Sequence, residues 1–161
     1  LRPGREVADF AALLSVLTTE LDRAGSPRVT CVGTSGGGGP AMLAALRLRA
    51  TRCISLCGTL REEWAPLLGE LSGGRLPRVD PVGEEWPSYL FVHGAEHDLD
   101  RENAHGLQTL LGGDVLSVPG VERHNVLHAL MQQNRLNDEF NALMHGELRL
   151  GGTEVARHES S

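Results

Sequence analysis

Apolar residues recur along this chain in two rhythms. Between residues 5 and 24, Val7, Phe10, Leu14, Leu17 and Leu21 step by three and four, the spacing of one stripe on a helix, and Gly25 and Pro27 stop it. Four shorter runs, dense in apolar and β-branched residues, read as strands: RVTCVG (28–33), TRCISLC (51–57), SYLFVH (88–93) and DVLSV (114–118). Helical patterns separate them. One opens at Pro40 and runs to about Arg49; a weaker one, REEWAPLLGEL (61–71), is interrupted by Pro66 and followed by a Gly/Pro loop over 72–87. A third covers 101–111 and breaks at Gly112-Gly113. The last covers 125–145, bent near Asn134, with Asn137 as a candidate cap for its second part. Strands alternating with helices predict an α/β fold, a parallel sheet joined by right-handed crossovers with helices on both faces. The nearly unbroken apolar character of the strand runs agrees, because both sides of such strands are covered. Residues 1–150 read as one domain, and 151–161, GGTEVARHESS, as a flexible tail.

Composition narrows the function. The 161 residues are 40% hydrophobic, enough for one core, and the net charge of −6 is spread over interleaved acids and bases. That balance argues against a nucleic-acid surface and leaves small molecules open as partners. No apolar run reaches membrane-spanning length, and the start carries no signal-peptide pattern. Cys31, Cys53 and Cys57 are odd in number and sit in apolar runs, which suits buried thiols in a reducing, cytoplasmic compartment better than a disulfide framework. The first residue is Leu1, which suggests a processed chain or a piece of a longer one.

The chemistry centres on VTCVGTSGGGGPAMLAAL (29–46), where one hydroxyl stands in bare backbone. Gly33-Thr34-Ser35-Gly36-Gly37 fits G-x-S-x-G with a strand before it and a helix after it. A sharp strand-to-helix turn of this kind forces the serine into strained backbone and lifts its hydroxyl above the sheet. The residues two before and two after pack against each other and must be small, as Gly33 and Gly37 are. The Gly36 amide at the helix start can then face a developing oxyanion. The same glycines admit a rival reading: Gly36 to Ala41 matches a loose G-x-G-x-x-A dinucleotide fingerprint, with Glu62 near the distance expected of its acidic partner, although Pro40 falls inside the loop. No Lys-Ser/Thr follows, so a Walker-type loop is excluded.

A serine hydroxyl needs a base to take its proton and an acid to orient that base. The chain supplies both in the order Ser, Asp, His. GAEHDLD after the third strand offers Asp98 and Asp100, with Glu96 a more distant choice, and PGVERHNVLHAL after the fourth offers His124 and His128. His128 falls one turn inside a helix, where a surface or packing role is expected.

On GTSGG, the VHG…D turn after a strand and the PG…H loop before the last helix, nearly the whole chain resembles the C-terminal part of an α/β-hydrolase. The resemblance implies Ser35 as nucleophile, Asp98 as acid with Asp100 as the alternative, His124 as base and Gly36 as an oxyanion donor. Members of that family usually carry the acid three residues past the glycine, where this chain has His97. They also have strands ahead of the nucleophile strand, one followed by the loop with the second oxyanion amide; no such strand is seen here. The chain is then either part of a longer protein or a reduced relative whose sheet edge another chain covers. Thr34, Trp64 and Trp86 are candidate walls of a substrate pocket, and His93 sits where it could line the site; His105, His145 and His158 read as solvated or structural. The expectation is a serine hydrolase that cleaves an ester or thioester through an acyl-enzyme, or an acyltransferase with the same machinery, with no metal or organic cofactor implied. The alternatives are a non-catalytic hydrolase-like module and a dinucleotide-binding domain.

Overall fold

The computed structural model describes residues 9–25, 28–59 and 87–146 together with the backbone of Val155–Ala156. Helix α1 (Phe10–Ala24) starts at Asp9, whose carboxylate accepts from the Ala12 amide at 2.8 Å, and stops at Gly25 in left-handed conformation. Its stripe is only loosely engaged: Val16 is its one buried residue and Phe10 is exposed. Strand β1 (Thr30–Thr34) follows, then one 3₁₀ turn over Ser35–Gly37 that runs into α2 (Gly38–Arg47). Pro40 therefore stands in the first turn of α2, not at its first residue, where its missing N–H costs no bond. Strand β2 (Arg52–Leu56) comes next. The interrupted helix, the loop after it, Glu62, Trp64 and Trp86 all lie outside the described residues. The chain resumes with β3 (Ser88–Gly94), α3 (Asp98–Leu111), β4 (Asp114–Val118), α4 (Val126–Gln132), α5 (Leu136–His145) and β5 (Val155–Ala156).

The sheet order is β1-β2-β3-β4-β5, with the first four strands parallel. Strand β5 pairs antiparallel with β4, so two residues of the segment read as a flexible tail instead occupy the hydrogen-bonding edge that β4 leaves open. The helical region expected over 125–145, bent near Asn134, is two helices. Asn134 takes a left-handed φ of 55° between them, and α5 starts from Arg135 rather than from an Asn137 cap.

Side chains alternate along each inner strand. Cys53, Tyr89, Phe91 and Val115 pack on one face with Met42, Leu43 and Ala45 of α2 and Ala104, Leu107 and Leu111 of α3. Ile54, Leu56, Leu90, Val92, Leu116 and Val118 pack on the other with Val126 and Leu130 of α4 and Leu143 of α5. This two-sided burial is why the strand runs read as continuous apolar stretches. The guanidinium of Arg52 donates to the Leu143 carbonyl and ties the start of β2 to α5. All three cysteines are free thiols; Cys53 and Cys57 are buried and Cys31 half-buried. Leu116 is 0% exposed at the centre of the second face. Leu116→Ala is expected to cost about 2–5 kcal/mol in urea unfolding through lost burial and a residual cavity, with the slope of the transition unchanged.

Candidate active site

Because β1 to β4 are parallel, the turns leaving them open on one edge of the sheet. Ser35 leaves β1, Asp100 stands in the first turn of α3 after β3, and His124 sits in the loop between β4 and α4.

The serine turn has a steric cause. Ser35 holds φ 51°, a left-handed conformation that costs a non-glycine residue about 1–3 kcal/mol. A Cβ on Gly33 would stand 2.3 Å from the Gly37 carbonyl oxygen and 2.8 Å from the Ala41 Cβ, so Gly33 must be glycine for α2 to close over β1. Gly37 is different: a Cβ there would meet nothing within 4 Å. The expected mutual packing of two small residues is corrected to one, because Gly37 contributes its backbone and not its side-chain position. Ser35–Gly37 form a 3₁₀ turn closed by the Gly38 amide on the Ser35 carbonyl, and Gly38 and Gly39 already belong to α2. The glycine run is thus a turn and a helix start, not the open phosphate loop of the dinucleotide reading. Gly36 is exposed in the first turn, where backbone N–H groups lack intrahelical partners.

Ser35 Oγ lies 2.7 Å from His124 Nε2, and His124 Nδ1 lies 2.6 Å from Asp100 Oδ1. The side chain of Asp100 is 0% exposed and that of His124 40%. A buried carboxylate on Nδ1 holds the proton of a neutral imidazole there and leaves the Nε2 lone pair facing the serine hydroxyl. The preference for Asp98 is corrected. Helix α3 begins three residues earlier than the periodicity predicts, so both acids are helical, two positions and about 200° apart. Asp98 consequently points into solvent, 78% exposed and 2.7 Å from Arg101, while Asp100 points inward. His97 caps α3, its Nδ1 accepting from the Asp100 amide at 3.2 Å.

The connections carrying Asp100 and His124 are tied to each other. Glu96, weighed as a distant choice of acid, accepts from the Gly120 amide at 3.0 Å and the Val121 amide at 2.9 Å. A Cβ on Gly94 would lie 2.4 Å from the Val121 carbonyl oxygen, so the β3 end and the histidine loop approach more closely than any side chain permits. Asn125 starts α4 by accepting from the His128 amide at 3.0 Å; the His128 ring is exposed, as expected. His93 is buried with Nδ1 2.8 Å from the Gly94 carbonyl, and burial lowers its pKa, so it is a neutral core imidazole. Cys57, with φ 49°, lies behind the acid; burial first, and Asp100 in addition, push its thiol up to about 12, so it stays protonated. His105 and His145 are exposed, Thr34 is exposed beside Ser35, and His158 lies outside the described residues. Sequence reasoning missed the bracing role of Glu96 and the position of Cys57. A Glu two residues past the glycine of the strand end was the available sign of the first; nothing local signals the second.

Among the described residues, the imidazoles of His97 and His124 and the carboxylate of Asp100 are the group able to hold a metal ion. A cavity of about 430 Å³ lies at the opposite end of the sheet, lined by Thr30, Arg52, Ser88 and Asp114, the first residues of β1 to β4, and so takes no part in this site.

No family model matches the sequence, and no curated protein matches it. Solved structures do. A CIB-like hydrolase from Thermoplasma acidophilum superposes with TM-score 0.55 at 15% identity, over 86% of this chain and 61% of that one. An alpha/beta hydrolase enzyme from the metagenome of sediments of the Mar Chica lagoon, Morocco, gives 0.56 at 18% identity, over 89% and 72%. A meta-cleavage product hydrolase from Pseudomonas fluorescens gives 0.54 at 16% identity, over 91% and 74%. The chain has an α/β-hydrolase fold, and it spans less than two thirds of the first of these proteins.

The sterics of the serine turn predict an asymmetry. Gly33→Ala is expected to destabilise by about 1–3 kcal/mol in urea unfolding because backbone must move to admit the methyl group, whereas Gly37→Ala, at φ −77°, is expected to be neutral or slightly stabilising. Glu96 gives a pH prediction. The Gly120 amide first, then that of Val121, holds its carboxyl below the ordinary 4.5. A depressed folded-state pKa contributes stability above pH 4.5 that is lost as pH falls through the folded value. The gap in urea midpoint between wild type and Glu96→Gln is therefore expected to be constant near neutrality and to close in acid; a gap independent of pH would contradict the brace.

Proposed function

We propose that this chain carries the catalytic machinery of a serine hydrolase acting on an ester or thioester, with Ser35 as nucleophile, His124 as general base and Asp100 as the orienting acid. The observation that supports it most is the unbroken polar chain from Ser35 Oγ to His124 Nε2 at 2.7 Å and from His124 Nδ1 to Asp100 at 2.6 Å. The named activities of the fold's neighbours, hydrolases and esterases among them, agree with it. In this reading Ser35 Oγ attacks the acyl carbonyl while its proton passes to His124 Nε2, and Asp100 stabilises the imidazolium without taking the proton. The tetrahedral oxyanion takes the Gly36 amide as one donor. The imidazolium then protonates the leaving alcohol or thiol, leaving Ser35 acylated. Water attacks that ester with His124 again as base, releasing the acid and restoring the serine. An acceptor alcohol, amine or thiol in place of water makes the same machinery an acyltransferase. Thr34 stands at the mouth of the site, and Trp64 and Trp86 remain candidates for the acyl pocket. The three free thiols suit a reducing, cytoplasmic setting.

A second reading, a non-catalytic module of a larger assembly, draws on the edge position of β1. Among the described residues β1 pairs with β2 alone, and Val32 is 39% exposed.

A fluorophosphonate probe separates the two. The intact protein is expected to label at Ser35, and Ser35→Ala to abolish labelling. Asp100→Asn should slow labelling by about 10⁴-fold by removing the carboxylate that fixes the tautomer, while Asp98→Asn leaves it within a factor of a few. Absence of labelling in the intact protein would favour the module.

A further inference from the structure

We propose that His97, Asp100 and His124 form a binding site for a borderline transition-metal dication, Zn²⁺ above all, and that its occupancy switches the serine chemistry off. The first half stands on geometry alone; the second rests on the hydrolase reading above.

The site is built around one carboxylate. Oδ1 of Asp100 is occupied by His124 Nδ1 at 2.6 Å, but Oδ2 is buried and has no hydrogen-bond partner. The Cys57 thiol is a side-chain hydrogen-bond partner of the same carboxylate, while Oδ2 itself has no partner in hydrogen-bond geometry. The polar atom facing Oδ2 is His97 Nδ1, at 3.3 Å. That nitrogen accepts from the Asp100 amide, so in the neutral imidazole it bears a lone pair and no proton. Two unprotonated atoms therefore face each other where a donor would be expected.

A separation of 3.3 Å is the edge of a coordination tetrahedron: ligand atoms each about 2.0–2.1 Å from zinc lie roughly 3.4 Å apart. The spacing of His97 Nδ1 and Asp100 Oδ2 thus matches that of two ligands on one zinc ion, provided the His97 lone pair turns from the Asp100 amide to the metal. The ligand atoms of all three residues lie within 4.8 Å of one another, so His124 has roughly 1.5 Å or less to travel to complete a His₂Asp set. Rotation of the side chain can supply that movement without shifting the braced loop: it is 40% exposed, and the His97 side chain is 24% exposed, leaving an approach from solvent. Solvent water supplies the fourth ligand. Two imidazoles with one carboxylate suit zinc and its neighbours in the first transition row; magnesium and calcium prefer all-oxygen shells. The cost is the cap bond from the Asp100 amide, which loses its acceptor.

The functional consequence follows from tautomers. Zinc on Nδ1 of His124 moves that ring's proton to Nε2, with no net change in protons bound. An Nε2 that carries a proton cannot accept one from Ser35. Zinc also breaks the contact with Asp100 Oδ1. Occupied, the site holds the histidine in a form that cannot serve as base.

The test uses tag-free, chelator-treated intact protein titrated with ZnCl₂ in a calorimeter. Wild type and Ser35→Ala are each expected to bind one ion per chain. His97→Asn, which keeps a capping side chain, is expected to bind at least 10- to 100-fold more weakly, the loss that removal of even an outer-shell partner produces. Co²⁺ in place of Zn²⁺ should give the visible bands of a tetrahedral site in wild type and not in His97→Asn. The ratio of fluorophosphonate labelling rates in chelator and in zinc should be large for wild type and near one for His97→Asn. No saturable zinc binding, or binding that His97→Asn leaves unchanged, overturns the site. Binding at the site with labelling that zinc does not slow overturns the switch. A protein that fails to label even in chelator sinks the hydrolase reading instead, and the calorimetric comparison then decides the metal site alone.

Discussion

Everything at this site depends on how closely the start of α2 approaches the end of β1. The Gly37 carbonyl lies over Gly33 at a distance no side chain there would tolerate. That contact lets the chain reverse from strand to helix within one 3₁₀ turn. Ser35 sits at the reversal with φ 51°, a strain the packed elements on either side must hold in place. Were the turn slacker, the hydroxyl would fall back toward the sheet and lose its reach to a histidine that belongs to another connection. The strain also limits motion: a residue fixed by flanking helix and strand pays its ordering entropy on folding rather than on binding.

The other two functional side chains are held by a different device. Loops ordinarily tolerate displacement, yet a hydrogen-bonded chain from Ser35 through His124 to Asp100 does not. Here the acid-bearing and base-bearing connections are stapled by two amides on one carboxylate, that of Glu96, and by the bare Cα of Gly94 against Val121. Glu96 is exposed, so its contribution is geometric more than energetic. Its two acceptors set the distance between the β3 and β4 connections, and so the distance over which Asp100 and His124 meet.

The sequence made the architecture legible because each inner strand is covered on both sides and each connection is punctuated by glycine or proline. DVLSV begins and ends where the structure begins and ends it, at Asp114 and Val118. The tight turn after β1 was legible for the same reason: few residue types fit the position of Gly33. The acid was not. The periodicity of 101–111 leads to the buried apolar residues of α3, whereas the preceding turn, Asp98, Leu99 and Asp100, buries no apolar side chain, Leu99 being exposed. A helix start that buries no apolar residue looks like a loop, and in a loop neighbouring acids are equivalent. On a helix they point to opposite sides. The histidine cap that marks the true start is not among the residues that usually announce one. Glu96 as a brace, and Cys57 behind the acid, depend on contacts between connections far apart in the chain, which no local pattern encodes.

One consequence of the shifted acid bears on the electrostatics of the site. With Asp100 in the first helical turn, its own backbone amide is among the donors left free at a helix N-terminus, and His97 is the residue placed to accept it. The cap thus brings a second imidazole to the carboxylate that already holds His124, the two rings 5.9 Å apart. A buried carboxylate with one oxygen unpartnered costs free energy unless something positive approaches it. Protonation of His97 could provide this only by giving up the cap, since one nitrogen cannot both accept the amide and donate to Oδ2. The carboxylate of Asp100 is therefore left under-satisfied on Oδ2 by its own helix start.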